Sequence, residues 1–322
     1  MESEETSLRY RSTILYLVAA ILLGCLFFYD IYQDNKKEKA KKTAKQLFKF
    51  QVDELTFITL ISGRETIKLQ KTGALDKKEW EIIVPIHAST ETPRIDSLKD
   101  KLANLKYSRI IAESANDLTQ FGLNNPGFTI IYRVNTGPGQ LSFGNQTPIE
   151  DGYYARRGKE KKVYLIATHD KRDLDKKLFD LRSKRLFTLS PEKIKRFIIE
   201  RETGKWTLIK KDGRWQFEND EAYRIKQQKV DSMIRRFVWA EASSFEKEAV
   251  EDLEPFGLQK PKALITLSDD ERSEEILIGD PSKENNMRIY AKMKRKPQVV
   301  TINKYLVEDI PQNREALKEE KK

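Results

Sequence analysis

The sequence predicts an α+β fold: an N-terminal single transmembrane helix followed by two tandem, similar, largely antiparallel α+β modules. Three observations predict it. The hexapeptide FGLNNP at Phe121–Pro126 returns as FGLQKP at Phe256–Pro261. An uncharged stretch runs from Thr13 to Tyr29. The remainder alternates short apolar runs with turn signals, and each copy holds one amphipathic helical stretch.

Residues 1–12 are a polar tail carrying Arg9 and Arg11. Residues 13–32 are predicted to form the transmembrane helix. At 1.5 Å per residue such a helix spans roughly 25 to 30 Å, close to the hydrocarbon thickness of a bilayer. Tyr10, Tyr16, Tyr29 and Tyr32 are placed as interfacial anchors. An uncleaved signal anchor competes with a lipoprotein cleavage box at Leu22-Leu23-Gly24-Cys25. The apolar run Leu26–Tyr29 continues past the cysteine and favours the anchor. Residues 33–51 are predicted as a Lys-rich juxtamembrane stalk. Lys36, Lys37, Lys39, Lys41 and Lys42 could contact anionic headgroups there, and a plain solvated stalk explains them equally.

Two modules follow, predicted at 52–190 and 191–322. A constant offset aligns Trp80 with Trp215, Ile95-Asp96-Ser97 with Val230-Asp231-Ser232, Asp117-Leu118 with Asp252-Leu253, and Gly144 with Gly279. One inserted residue later, Tyr154-Ala155-Arg156 meets Tyr290-Ala291-Lys292. Before Trp80 the alignment pairs Phe57-Ile58 with Phe197-Ile198, which gives module one about five extra residues near 72–78. Asp212-Gly213 predicts a two-residue hairpin turn. A helix is predicted from Pro93 with Thr92 as its cap, and its apolar face is Ile95, Leu98, Leu102 and Leu105. A last helix, near 171–185, is predicted to close module one.

The repeated hexapeptide reads as a helix stop. Gly122 falls where a helix needs a left-handed residue just past its end. Leu118 and Leu123 occupy the two positions whose side chains meet in a Schellman motif, and Pro126 prevents the helix from resuming. Leu253, Gly257, Leu258 and Pro261 repeat each part. Phe121, Gly122, Leu123, Pro126, Phe256, Gly257, Leu258, Pro261, Trp80 and Trp215 are therefore assigned to packing.

Composition narrows the chemistry. The 322 residues carry a formal charge of +10, spread along the chain, with one cysteine and two histidines. One cysteine makes no internal disulfide, and His87 and His169 with Cys25 do not compose a usual His/Cys metal site. No calcium-loop spacing, G-x-S-x-G elbow, phosphate loop or nucleic-acid module is present. Ser190-Pro-Glu-Lys193 matches S-x-x-K without its companion motifs. Asp96 and Asp231 suit favourable interaction with a helix N-terminus. Tyr154 and Tyr290 suit a sheet interior.

The extended W-x-x-x-x-P (Trp80, Pro85), the amphipathic helix, F-G-L-x-x-P, the strand ends Leu141–Gly144 and Ile276–Gly279, Y-A-R and V-Y-L-I together resemble the bacterial family called domain of unknown function 4340. The resemblance covers about Asp53 to the C-terminus as two copies. Module two departs from it by lacking the proline after its tryptophan and by reading Val-Val-Thr-Ile at its last strand. It implies a membrane-tethered protein of the bacterial cytoplasmic membrane, its globular part periplasmic, beside auxiliary proteins of ABC-type export systems related to gliding motility. Charge alone leaves the orientation open. No catalytic residue is implied, so the expectation is a non-enzymatic accessory or scaffold protein without cofactor, metal or nucleic acid, acting through protein partners in an ABC-type envelope complex. A binding module for an anionic envelope polymer or lipid headgroup, and a hydrolase of unknown type, are the alternatives.

Overall fold

A computed structural model describes residues 27, 29, 31–33, 44–73, 79–308 and 310–319. Most of the 13–32 segment with Cys25, the five stalk lysines, and residues 74–78 lie outside the described residues. Among the described residues no helix is long and apolar enough to cross a membrane. The chain divides into two compact units, residues 1–182 and 183–322.

Unit 1 is one antiparallel sheet. Its strands are β1 (Phe57–Ser62), β2 (Glu65–Thr72), β3 (Glu79–Val84), β4 (Ala88–Ser89), β5 (Arg109–Ala112), β6 (Phe128–Val134), β7 (Gly137–Gln146), β8 (Gly152–Arg157) and β9 (Val163–Ala167), in the spatial order β4-β3-β2-β1-β6-β7-β8-β9-β5. Helix α1 (Thr92–Ala103) lies between β4 and β5 in the chain. Alternation along the strands sends Ile58, Leu60, Leu69, Ile82, Ile130 and Phe143 to one face, where Ile95, Leu98 and Leu102 of α1 complete the core. Thr92 is the first residue of α1 and Pro93 the second. The cap position belongs to Glu91, so Thr92 is not the cap.

Unit 2 repeats this arrangement. Its strands are β10 (Arg196–Arg201), β11 (Gly204–Lys211), β12 (Arg214–Phe217), β13 (Ser244–Lys247), β14 (Ala263–Ser268), β15 (Ser273–Pro281), β16 (Arg288–Met293) and β17 (Val299–Asn303), ordered β12-β11-β10-β14-β15-β16-β17-β13. With β4 removed, the two orders are identical. Val230, Met233, Ile234 and Phe237 of the Gln227–Val238 helix fill the core. Asp212 and Gly213 have φ of 50° and 78° and join β11 to β12 through Lys211↔Arg214. Positive φ at both central positions is the type I′ geometry.

Together the two units are two largely antiparallel sheets with few helices, mostly β and not clearly α+β. The helix expected at 171–185 is broken in two, α2 (Thr168–Leu174) and α3 (Leu178–Leu181). Asp175 leaves the helical region at φ −82°, ψ 74°, so Leu174 and Leu181 are buried from separate pieces. The alignment before Trp80 is also corrected. Ile58 pairs with Leu69 and Tyr132, while Phe197 pairs with Leu208 and Leu267. Ile58 thus corresponds to Phe197, one position from the expected match, because a one-residue slip would turn the strand inside out. Thr72 to Trp80 spans eight positions and Lys211 to Trp215 spans four, so unit 1 has four extra residues there, not five.

The repeat begins earlier than the stalk boundary suggests. Leu47, Phe48 and Phe50 are buried in the core of unit 1, and Leu186, Phe187 and Leu189 in that of unit 2. The Leu47 N–H donates to the Leu105 carbonyl at 2.8 Å, and the Leu186 N–H to the Ala240 carbonyl at 3.3 Å. Single antiparallel bridges, Gln46↔Lys106 and Arg185↔Glu241, sit beside them. Each unit is closed by another matched bridge, Thr90↔Arg182 in one and Ile225↔Lys318 in the other. Phe48→Ala and Phe187→Ala are each expected to destabilise their unit by about 3 to 5 kcal/mol, as deleting a buried aromatic does. Denaturant unfolding of the purified chain checks this; a change under 1 kcal/mol would mean that these leader segments are not part of the fold.

Candidate functional site

The matched hexapeptides are the natural place to look for a site, and each builds the same object. Asp117 and Asp252 open a tight turn by accepting from the Thr119 N–H (2.8 Å) and the Glu254 N–H (2.9 Å). The two bonds from Thr119 hold the Asp117 carboxyl below its ordinary value. One 3-10 turn follows, Thr119–Phe121 or Glu254–Phe256. Gly122 and Gly257 then take φ of 67° and 65°. The Leu123 N–H donates to the Leu118 carbonyl at 3.1 Å and the Gly122 N–H to the Thr119 carbonyl at 2.9 Å; Leu258 and Gly257 repeat both bonds to Leu253 and Glu254. This is the Schellman bond pair, on a 3-10 rather than an α turn. Pro126 and Pro261 stand two residues before β6 and β14.

The turn is laid on the sheet. A Cβ at Gly144 would lie 2.0 Å from the Phe121 carbonyl oxygen, and one at Gly279 2.1 Å from that of Phe256. Only glycine admits a backbone so close. The Phe121 ring meets the Tyr154 ring edge-on at 5.1 Å, and Phe256 meets Tyr290 likewise at 5.1 Å. Phe121, Leu123 and Val163 form a small second core with Leu118 and Tyr154 against it. Leu258, Tyr290 and Val299 do the same with Leu253 and Phe256.

The tryptophans sit in the main cores, at matched places in β3 and β12. The Lys99 ammonium lies 5.7 Å over the Trp80 ring and that of Lys210 5.5 Å over Trp215. Asp96 and Asp231 stand one turn inside their helices rather than at the N-terminus. Asp231 accepts from the Trp215 indole N–H at 2.9 Å, and Asp96 pairs with Lys99 at 2.7 Å. The structure thus gathers Phe121, Gly122 and Leu123, and separately Phe256, Gly257 and Leu258, but neither tryptophan joins those groups.

Other candidate residues stay apart. Ser190 and Lys193 are exposed on the 3-10 turn Pro191–Lys193, and His87 is exposed after β3. His169 lines a groove of unit 1, about 770 Å³, with Asp96, Asp100, Lys101, Asn104 and Asp170. Lys101 donates to Asp170 at 2.9 Å and lies 3.3 Å from Asp173. Its hydrogen bond to Asp170 holds the ammonium above its ordinary range, against the opposing effect of burial. No group of three or more His, Cys, Asp or Glu among the described residues could hold a metal ion.

A second cavity of unit 1, about 290 Å³, is lined by Phe48, Phe50, Tyr132 and Arg157. Arg157 donates to the Leu47 carbonyl at 2.9 Å and so fastens the leader segment. Burial pushes the Tyr132 phenol up to about 12.

The fold and its turn-locking clusters define a duplicated antiparallel sheet protein, each copy led by a buried segment and pinned by one glycine turn. Stretches 80–216 and 215–321 match the sequence profile described as Domain of unknown function (DUF4340), and the chain belongs to that family as two tandem copies. Each matched stretch opens at or beside a core tryptophan, so the first runs past the end of unit 1 into the first three strands of unit 2. No curated protein and no solved structure matches the chain.

Sequence reasoning missed the close approach at Gly144 and Gly279, and the leader segments. The leaders do leave a signal, since Lys45-Gln-Leu-Phe-Lys-Phe50 and Lys184-Arg-Leu-Phe-Thr-Leu189 share K-x-L-F-x-[FL]. Gly144→Ala and Gly279→Ala are expected to destabilise by about 2 to 3 kcal/mol or more, because backbone must move. Gly63→Ala meets open space and carries only a left-handed penalty of about 1 to 2 kcal/mol. Thermal melts that rank these three substitutions otherwise would refute the locked turn. Tyr132 contributes stability below pH 10 that is lost as pH rises from 10 toward 12, since its folded pKa is the higher one. Tyr132→Phe should raise the alkaline unfolding midpoint, read by circular dichroism against pH.

Proposed function

We propose that the chain is a non-enzymatic, membrane-tethered accessory or scaffold protein that presents two similar modules to protein partners of an envelope ABC-type transport or gliding-related complex. The observation that carries the reading is the fate of the shared residues. The matched tryptophan, F-G-L turn, glycine and tyrosine of each copy are used up in packing. What was kept through duplication is the shape, so function falls to the surfaces the shape presents.

The tether is supported by the uncharged run Thr13–Tyr29 and by its far end, where Phe27, Tyr29, Ile31 and Tyr32 are helical and exposed. Exposed aromatic and aliphatic side chains on consecutive turns suit an interfacial setting. A single transmembrane helix at 13–32, the N-terminus inside and both units in the periplasm of a bacterial cell, completes the proposal. The kind of partner is the one that the resemblance to the family implies, an export system.

A +10 chain also favours binding an anionic polymer or headgroup as a second reading. The two are separated by extraction and retention. The accessory reading expects the full chain to stay in the membrane through high salt and alkaline carbonate and to leave it only with detergent. Protease added outside spheroplasts should digest both units, and mild-detergent extracts should carry transporter subunits with the chain. Release by salt alone, or protection from external protease, would overturn it. Salt-sensitive retention on anionic liposomes by a chain lacking residues 1–43 would favour the second reading.

A further inference from the structure

Duplication supplies an internal control, because one groove occurs in both units with different side chains around it. It lies beside the C-terminal end of the long helix. In unit 1 it is the charged groove already described, holding Lys101, Asn104, Lys106, His169 and Asp170. The corresponding positions of unit 2 are Arg236, Trp239, Glu241, Tyr305 and Leu306. There the groove, about 260 Å³, is lined by Arg236, Ala240, Glu241, Asn303, Tyr305 and Leu306. Trp239, the last helical turn's neighbour, is 62% exposed and Tyr305 60% exposed. Met287 is the third large apolar side chain that unit 2 exposes among the described residues, and its carbonyl accepts from the Lys304 N–H at 2.9 Å, next to Tyr305. All three therefore gather at one end of the unit.

We infer that this groove of unit 2 is a protein-docking surface, and that its partner is an acidic segment of another protein carrying a large apolar anchor. The inference rests on the accessory reading and names the surface it would use. Trp, Tyr and Arg are the side chains that dominate binding energy at protein interfaces. Here the Arg185 guanidinium stacks 4.8 Å from the Trp239 ring, and Arg235 and Arg236 stand exposed on the turn before it. Lys304 adds a further cation, already paired with Glu308 at 3.2 Å. Glu241 also lines the groove, but Arg185, Arg235 and Arg236 outnumber it around the apolar floor, so the complement is anionic around an apolar tip. A second copy is a poor fit. A two-fold contact through this patch would set the arginines of both copies against each other. In unit 1 the same place carries Asp170 where unit 2 has Leu306, and the Lys101–Asp170 pair occupies it. No large apolar side chain lines that groove.

The test places a photo-crosslinking amino acid at Trp239 or Tyr305 of the full chain in its native host, with Asn104 and His169 as matched controls in unit 1. Adducts are expected from 239 and 305 at least tenfold above those from 104 and 169. Sequencing of the crosslinked peptide should give a net-negative segment with a large apolar residue, from a protein other than this chain. Arg235→Glu with Arg236→Glu should lower the adduct at least tenfold while the melting temperature is unchanged. Tyr305→Ser, with crosslinking from 239, provides a second exposed variant if the double reversal disturbs folding. No adduct, adducts only to a second copy or to lipid, equal yields from unit 1, or yields indifferent to both variants would each overturn the docking surface. The accessory reading fails separately. An acidic adduct on a protein unrelated to transport keeps the groove and removes that reading. Co-extraction with transporter subunits, unaffected by either variant, keeps the reading and removes the groove.

Discussion

The closest constraint in each unit is a backbone carbonyl resting on a strand where no side chain can stand. The Phe121 oxygen over Gly144, and the Phe256 oxygen over Gly279, leave no room for a single methyl group. Around each contact the rest is arranged. The left-handed glycine turns the chain so that the carbonyl faces the sheet, the leucine beyond it is buried, and the phenylalanine reaches the tyrosine of the strand paired with that of Gly144 or Gly279. Without the turn, the long connection from β5 to β6, or from β13 to β14, would cross the sheet unsupported. The contact therefore fixes the path by which an edge strand is joined to a central one.

Much of this was legible in the chain because packing leaves periodic marks. The left-handed glycine of the F-G-L stop and its pair of backbone bonds could be read from residues within six positions of one another, though not that the turn is 3-10. The Asp-Gly hairpin is local for the same reason. What failed was non-local. Whether 171–185 is one helix depends on Asp175, which leaves the helical region, and the i, i+7 spacing of Leu174 and Leu181 suits one helix as well as two, so the pattern does not show the break. The one-residue error at Phe57 arose because Phe57-Ile58 and Phe197-Ile198 look alike, while burial belongs to Ile58 and Phe197. The role of Gly144 depends on a partner 23 positions away, so spacing alone shows a matched glycine and not its reason.

The same comparison explains why a candidate site is harder to read than a fold. Residues held in common report what both units need, and both need a core. Differences report what each unit does, and they fall on grooves and rims, where Asn104 faces Trp239 in the alignment and Asp170 faces Leu306. Such differences carry no motif. They become visible only after the strands have shown which positions correspond.

The leader segments have a genetic consequence. Leu47–Phe50 and Leu186–Leu189 belong to the unit that follows them in the chain, and each unit ends on the bridge formed by Arg182 or Lys318. A crossover between 182 and 183 would hand on a whole module with every strand it needs, whereas one at Trp80 or Trp215 would strand two sheet segments upstream. Recombination at the first junction could lengthen or shorten the array by one module at a time, and that junction is where lineages with a different number of copies should be spliced.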